Sequence, residues 1–336
     1  MRLRGVLRAE ADVENQQLIA SEESGSRHPQ DDPRVDSARA WLRFGRERVP
    51  LLVFALLSGG TAASSLLVMS CALTVKPLLF GFVFQMLFYT NLRLMDELKD
   101  VDKDRIGHPE RPLPRGLLTI DAVRGAVQLL TLAMLLCAVL GYMMLSPMAA
   151  ALMLLVTCQL LIMYFECGCA VWLERSPILV LLTHQPIVSL MTICVCTLAQ
   201  PTSYFSLKAY SLSALLQAGF LTYEVCRKLD PTAHKVLGTY LVTYGRVTTF
   251  AIIAVANAVG GGGAYLLATA TDERWPLYGF VTPQLLIVMS TLILFAMPEA
   301  HRSKRHKVVE LLSALSLLWH VFLVPIAATA TGMDVC

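Results

Sequence analysis

Residues 96–116 read DELKDVDKDRIGHPERPLPRG and follow directly after a long apolar segment. Asp96, Asp100 and Asp104 are four residues apart, so a helix through them turns by only about 40° and rises by about 6 Å from one to the next. One helix face then presents three carboxylates. Such a row repels itself unless a cation lies over it, and its oxygen ligands suit Mg²⁺ shared with a substrate phosphate. The stretch therefore predicts a metal and phosphate site at a membrane surface.

The composition is that of a membrane protein that crosses the bilayer several times. Of the 336 residues, 55% are hydrophobic and only 16% are charged, and the mean hydropathy is +0.58. These values exclude a soluble domain. Apolar runs of about 20 residues, the length that crosses a bilayer, occur nine times. They lie at about 49–73, 77–98, 119–144, 147–167, 177–199, 206–226, 239–269, 276–297 and 308–331. We therefore expect an all-α bundle of nine transmembrane helices.

The distribution of Lys and Arg predicts the orientation. With a cytoplasmic N-terminus, sixteen Lys and Arg residues flank the helices on the cytoplasmic side, and only Lys76, Lys208 and Arg274 flank them on the other side. This bias places the acidic motif on the cytoplasmic side. A nucleic-acid partner is not expected. We expect residues 1–45 to form a disordered cytoplasmic tail. We expect residues 46–331 to form the helical domain and residues 332–336 a short C-terminal tail.

The loop after the acidic row is basic and rich in proline. Pro109, Pro112 and Pro114 fix φ and favour an extended backbone, which would hold Arg111 and Arg115 in place. Arginine binds phosphate oxygens through two parallel hydrogen bonds. The loop therefore predicts a diphosphate-binding site. Two further cations on the preceding helix are candidates for the same anion, Arg93 and Lys99.

The whole segment resembles the first aspartate-rich motif of the UbiA superfamily of intramembrane prenyltransferases, N-D-x-x-D-x-x-x-D-R-x-N-x-P-x-R-P-I-P-x-G. Asp96 stands at the Asn of that motif and Glu97 at the Asp that follows, Asp100 and Asp104 stand at the next two Asp positions, and 105–116 keep most of the rest. The resemblance covers about residues 46–331. It implies a central cavity open to the cytoplasmic side, with Asp96, Glu97, Asp100 and Asp104 holding Mg²⁺ and with Asp96, Asp100 and Asp104 as the catalytic residues.

The second acidic motif of that superfamily departs from its usual pattern here. The corresponding place reads YEVCRKLD at 223–230, without the usual D-x-x-x-D pair. It is similar to a branch of the superfamily with an E-x-x-R-K signature. This implies that Glu224 binds a metal ion, while Arg227 and Lys228 bind the diphosphate or replace a second metal ion electrostatically.

The resemblance implies a magnesium-dependent prenyltransferase that ionises an isoprenyl diphosphate and transfers the prenyl chain to a lipophilic or aromatic acceptor. The expected partners are these two substrates and membrane lipids. An alternative hypothesis is a terpene cyclase of the UbiA type, which cyclises the isoprenyl diphosphate without an acceptor and releases pyrophosphate. A third is a transporter or lipid-binding protein whose acids coordinate an ion.

Two further groups of residues are candidates for the interior of the site. Aromatic side chains can stabilise an allylic cation through their π faces, and each can equally be a packing residue. These aromatic residues are Phe84, Phe88, Tyr89, Tyr164, Phe165, Phe220 and Tyr223. His184 and Gln185 precede Pro186 within an apolar run. They predict either an acceptor-binding or proton-abstracting pair or a hydrogen bond between helices.

Overall fold

Helices joined by short turns make up the chain over residues 36–70, 72–231 and 239–331, which are the residues that a computed structural model describes. The first six helices are α1 (Ala38–Arg48), α2 (Leu51–Ser70), α3 (Val75–Gly107), α4 (Ile120–Met144), α5 (Pro147–Tyr164) and α6 (Ala170–Arg175). The others are α7 (Pro177–His184), α8 (Pro186–Ala199), α9 (Leu207–Cys226), α10 (Tyr240–Thr271), α11 (Trp275–Ala296) and α12 (Glu299–Thr331). No strand occurs in these ranges, so the predicted all-α fold is confirmed.

Within the described residues, eight helical segments are long and apolar enough to cross a membrane. They match eight of the nine predicted spans, and α7 and α8 together form one of them. The remaining predicted span, 206–226, is helical as α9 but is not among the eight. Helix α9 packs against α2, α8, α10 and α12. Because protein surrounds it on several sides, it tolerates polar residues such as Gln217 and Glu224.

The N-terminal boundary of the helical part differs from the prediction. Helix α1 begins at Ala38, within the segment 1–45 that was expected to be a disordered tail. The side chain of Ser37 caps this helix by accepting a hydrogen bond from the backbone N–H of Ala40. Phe44 is buried and belongs to the same hydrophobic core cluster as residues of α3 and α4. An N-cap and an apolar face therefore order residues that composition alone assigns to a tail. Residues 1–35 and 332–336 of the predicted tails lie outside the described residues.

The fifth span is broken at His184–Pro186, where α7 ends and α8 begins. The proline ring prevents a regular helix across this point. Gln185 accepts a hydrogen bond of 3.2 Å from the amide of Gln217 on α9. The side-chain oxygen of Gln217 in turn accepts bonds from the backbone and hydroxyl of Ser189. The interpretation of Gln185 as a link between helices is therefore confirmed.

Helix α10 packs closely on α9 because small residues face the contact. A Cβ atom added at Gly263 would lie 2.8 Å from the backbone oxygen of Ser211 and 2.9 Å from the backbone nitrogen of Leu215. Backbone atoms of a buried helix cannot move aside cheaply. The glycine therefore fixes the distance between the two helices, as small residues do in membrane bundles.

Replacing Gly263 by Ala is expected to destabilise the protein by about 2 kcal/mol through overpacking. Gly262→Ala is the matched control, because an added Cβ there meets nothing within 4 Å and alanine favours a helix. Thermal unfolding of both variants in detergent tests the prediction. Equal midpoints for the two variants would show that the close packing at Gly263 has no energetic role.

Candidate functional site

The acidic row lies on the last turns of α3. This helix continues beyond the predicted span at 77–98, to Gly107, and therefore carries Asp96, Asp100 and Asp104 in one helical register. Asp104 is buried, with 3% of its side chain exposed, while Asp96 and Asp100 are half-buried. The helical geometry deduced from the spacing is confirmed.

Two carboxylates of the row, Asp96 and Asp100, have neither a hydrogen bond nor an ion pair within the described ranges. Cations of α3 and of the segment that follows α9 attract both of them electrostatically. These cations are Arg93, Lys99 and Arg227 at Asp96, and Lys103, Lys99 and Lys228 at Asp100. The fold thus brings the two sequence motifs together, although 131 residues separate Asp96 from Arg227.

The third carboxylate, Asp104, forms an ion pair with Arg111. The loop that carries Arg111 is not extended, contrary to the prediction. Successive turns fold it back on itself, with backbone bonds from Arg115 to Arg111 (3.1 Å) and from Gly116 to Leu113 (3.0 Å). Leu113 is buried beneath it. Proline also favours the second position of a turn, so the same residues that predict an extended backbone here support a folded one.

Arg115 is held by the N-terminal helix. Its guanidinium donates to both carboxylate oxygens of Glu47 at 2.9 and 2.8 Å and to the backbone oxygen of Glu110 at 2.9 Å. The hydrogen bond with Arg115, followed by the one with Arg43, lowers the pKa of Glu47 below its usual 4.5. The Pro-rich loop is therefore fastened to α1 by an ion pair.

We expect this ion pair to depend on pH. Because the folded pKa of Glu47 is lowered, its stabilising contribution is complete above the usual pKa of 4.5 and is lost as the pH falls through the folded pKa. Glu47→Gln should therefore unfold at a lower temperature than the wild type at pH 7, by a small amount because the pair is partly exposed. The difference should disappear in acid. A difference that stays constant from pH 7 to pH 3 would contradict this assignment.

Glu97, a predicted metal ligand, lies at the centre of a buried ion cluster. Only 2% of its side chain is exposed. Its Oε1 accepts from Arg48 Nε at 2.7 Å and from Arg93 Nη2. Its Oε2 and Arg93 Nε are buried and have no partner among the described residues. The cluster joins α1 to α3, and Arg93, a predicted diphosphate ligand, points to Glu97.

The second motif forms its own cluster at the end of α9. Glu224 is bound by Arg227 and Lys228, each at 2.6 Å. Glu224, and more weakly Asp96, raise the pKa of Arg227 above its usual value. The ammonium of Lys228 also lies 5.5 Å from the ring centre of Tyr240. The single carboxylate of Glu224 compensates only part of the charge of Arg227 and Lys228. The cluster therefore keeps a net positive charge near Asp96 and Asp100 on α3.

A cleft of about 350 Å³ lies beside the end of α3. Lys99 lies at its edge, donating to the backbone oxygen of Met163 at 3.3 Å and pairing with Glu166 at 3.4 Å. The cleft is lined by Leu98, Lys99, Lys103, Tyr164, Phe165 and Glu166. Two of the predicted aromatic residues, Tyr164 and Phe165, are therefore at this opening.

By contrast, Phe84 and Phe88 lie in the core, where 0% and 3% of their surface is exposed, so they act as packing residues.

Sequence reasoning missed Glu47, Arg48 and Glu166 as parts of this region. The only signal for the first two is the charged run GRER at 45–48, directly before the first span. Their partners lie 68 and 49 residues away along the chain. No local pattern specifies such pairs.

No protein-family model matches the chain, and no curated protein matches its sequence. A solved structure does match, that of a digeranylgeranylglyceryl phosphate synthase described in a study of its biosynthesis in membranes. The two chains are 14% identical, and the match covers 84% of this chain and 98% of that chain with a TM-score of 0.53. At this identity the likeness concerns the fold. The chain therefore shares the fold of a membrane synthase.

Proposed function

We propose that the chain is a magnesium-dependent membrane prenyltransferase that ionises an isoprenyl diphosphate and transfers its prenyl chain to a lipophilic or aromatic acceptor. The observation that carries this proposal is the position of Asp96 and Asp100 opposite the cations Arg227 and Lys228. Neither carboxylate has a direct partner among the described residues. Carboxylates for a metal ion and cations for a phosphate are both needed to bind a metal diphosphate. The shared fold of a membrane synthase agrees with this proposal.

The carboxylates fit a magnesium ion that binds together with the substrate. No three Asp, Glu, His or Cys side chains of the described ranges come together as a metal-binding group. Magnesium, however, is commonly bound by one or two carboxylates, with substrate phosphates and water as the other ligands. Asp96 and Asp100 would hold it. Asp104, Glu224 and Glu97 would join them only on leaving their present arginine and lysine partners.

Magnesium held by Asp96 and Asp100 would supply positive charge that neutralises the charge developing on the leaving pyrophosphate. Arg227 and Lys228 do the same from the side of α9, and Arg111 and Arg115 do so from the Pro-rich loop once the diphosphate replaces Asp104 and Glu47 as their partner. Each of these two loop arginines thus exchanges a protein carboxylate for a substrate oxygen. The C–O bond of the allylic diphosphate breaks with both electrons going to pyrophosphate, and the prenyl cation then bonds to the acceptor, which loses a proton.

The test is incubation of the purified protein with ten-, fifteen- and twenty-carbon isoprenyl diphosphates, each with magnesium or with chelator. We expect pyrophosphate release only with magnesium, and mass spectrometry of organic extracts should show a prenylated product when an acceptor is present. Substrate uptake into liposomes without pyrophosphate release would contradict the proposal and support a transporter.

The state of Glu224 favours a second candidate, a terpene cyclase. Glu224 is bound by two cations at 2.6 Å, so it is not available as a base that activates an acceptor. In a cyclase the cation is attacked by a double bond of the same chain, and a final proton loss gives a hydrocarbon. A cyclic hydrocarbon formed from the diphosphate and magnesium alone would select the cyclase. Product formation only with an added acceptor would select the transferase.

A further inference from the structure

Helix α1 has one apolar face toward the protein and one cationic face away from it. Ala40 and Phe44 are buried in the core. Arg39, Leu42, Arg43 and Arg46 lie on the opposite face, at helical spacing, and all four are exposed. Leu42 is 65% exposed. An exposed leucine among three arginines is the pattern of a helix that lies in the plane of a membrane surface.

The connection to the first span places this helix at the bilayer. Only Val49 and Pro50 separate α1 from α2, the span Leu51–Ser70. Two residues bridge at most about 7 Å. The arginines of the last turns of α1 are therefore within reach of the lipid headgroups where α2 enters the membrane.

The orientation of α1 is fixed by its contacts with the rest of the protein. Arg48 pairs with Glu97 on α3 at 2.6 Å. At the other end, Asp36 accepts bonds of 2.7 and 2.6 Å from the backbone and hydroxyl of Thr119, at the start of α4. The cationic face is consequently presented outward as a defined surface.

The charges of this face are largely available for a ligand. Arg43 pairs with Glu47 at 2.9 Å, and 64% of its side chain remains exposed. Arg39 and Arg46 have no ion pair within the described residues. We propose that the outward face of α1, formed by Arg39, Leu42, Arg43 and Arg46, binds the phosphates of anionic lipids in the adjoining leaflet. Each basic residue near an anionic surface adds to this attraction, and the acyl chains receive Leu42.

Trp41 provides a probe near this site, because it lies on α1 within one helical turn of Arg39 and Leu42, partly buried with its ring 5.8 Å from that of Phe44. The protein is placed in nanodiscs of phosphatidylcholine with a minor fraction of brominated lipid, either phosphatidylglycerol or phosphatidylcholine. The contribution of Trp41 is the difference from Trp41→Phe. We expect brominated phosphatidylglycerol to quench Trp41 at least two-fold more strongly than brominated phosphatidylcholine.

Arg39→Gln and Arg46→Gln should each reduce this preference. Arg124→Gln is the matched control, an exposed arginine on α4 that pairs with Asp121 at 2.5 Å, and it should keep the full preference. Equal quenching by the two lipids in the wild type would overturn the proposal. So would a preference that both α1 variants retain, or one abolished by inorganic phosphate, which would identify a site for soluble anions. Quenching requires no catalysis, so the result is independent of the proposed function.

Discussion

Asp100→Asn is expected to lower magnesium-dependent pyrophosphate release by about 100-fold or more, the size of effect seen when a group that stabilises transition-state charge is removed. Asp96→Asn should have a similar effect. The amide keeps the shape of the side chain but removes the negative charge that a magnesium ion requires. Because neither carboxylate has a direct partner among the described residues, the substitution breaks no ion pair, and the loss should appear without unfolding.

Asp102→Asn is the control for both variants. Asp102 belongs to the same helix, but 85% of its side chain is exposed, and it pairs at 3.1 Å with Arg105. Pyrophosphate release should stay within about two-fold of the wild type, because an exposed pair of this kind contributes little. If Asp96→Asn and Asp100→Asn released pyrophosphate as fast as Asp102→Asn, the row would not be the metal site.

The helices and the acidic row could be predicted from the sequence because their signals are local. An apolar run of about 20 residues specifies a span, and the four-residue spacing of Asp96, Asp100 and Asp104 specifies one helix face. The ends of the helices could not be predicted as well as their positions. Helix α3 continues to Gly107 through charged residues because protein and cations surround them, and hydropathy alone cannot detect such surroundings.

The ion pairs of the site could not be predicted. A sequence motif identifies acids as metal ligands and arginines as phosphate ligands, as if each side chain were unpaired before the ligand binds. In the folded chain Asp104 binds Arg111, and Glu224 binds Arg227 and Lys228. Buried charges must be neutralised whether or not a ligand is bound. The acids and cations that would bind a metal diphosphate therefore form ion pairs with one another. Only the three-dimensional arrangement shows which carboxylates have no such partner among the described residues.

Glu97→Gln is expected to destabilise the protein by about 3 kcal/mol, the lower end of the range for removing one partner of a buried ion pair. The reason is that Arg48 and Arg93, only 18% and 24% exposed, would lose their shared anion. Thermal unfolding in detergent measures this loss. A metal ligand behaves differently, because its removal lowers the rate and leaves the unfolding midpoint of the metal-free protein unchanged.

A second substitution separates the two roles. If Glu97 is the anion of this cluster, Arg93→Gln added to Glu97→Gln should recover part of the lost stability, since it removes one of the two uncompensated charges. The double-mutant cycle isolates this coupling. Arg43→Gln added to Glu97→Gln is the control, because Arg43 lies on α1 but is 64% exposed and pairs with Glu47. If Arg93→Gln restores stability to Glu97→Gln and Arg43→Gln does not, Glu97 supports the site by anchoring α1 to α3. If Glu97→Gln keeps the unfolding midpoint of the wild type but loses pyrophosphate release, Glu97 is instead a metal ligand.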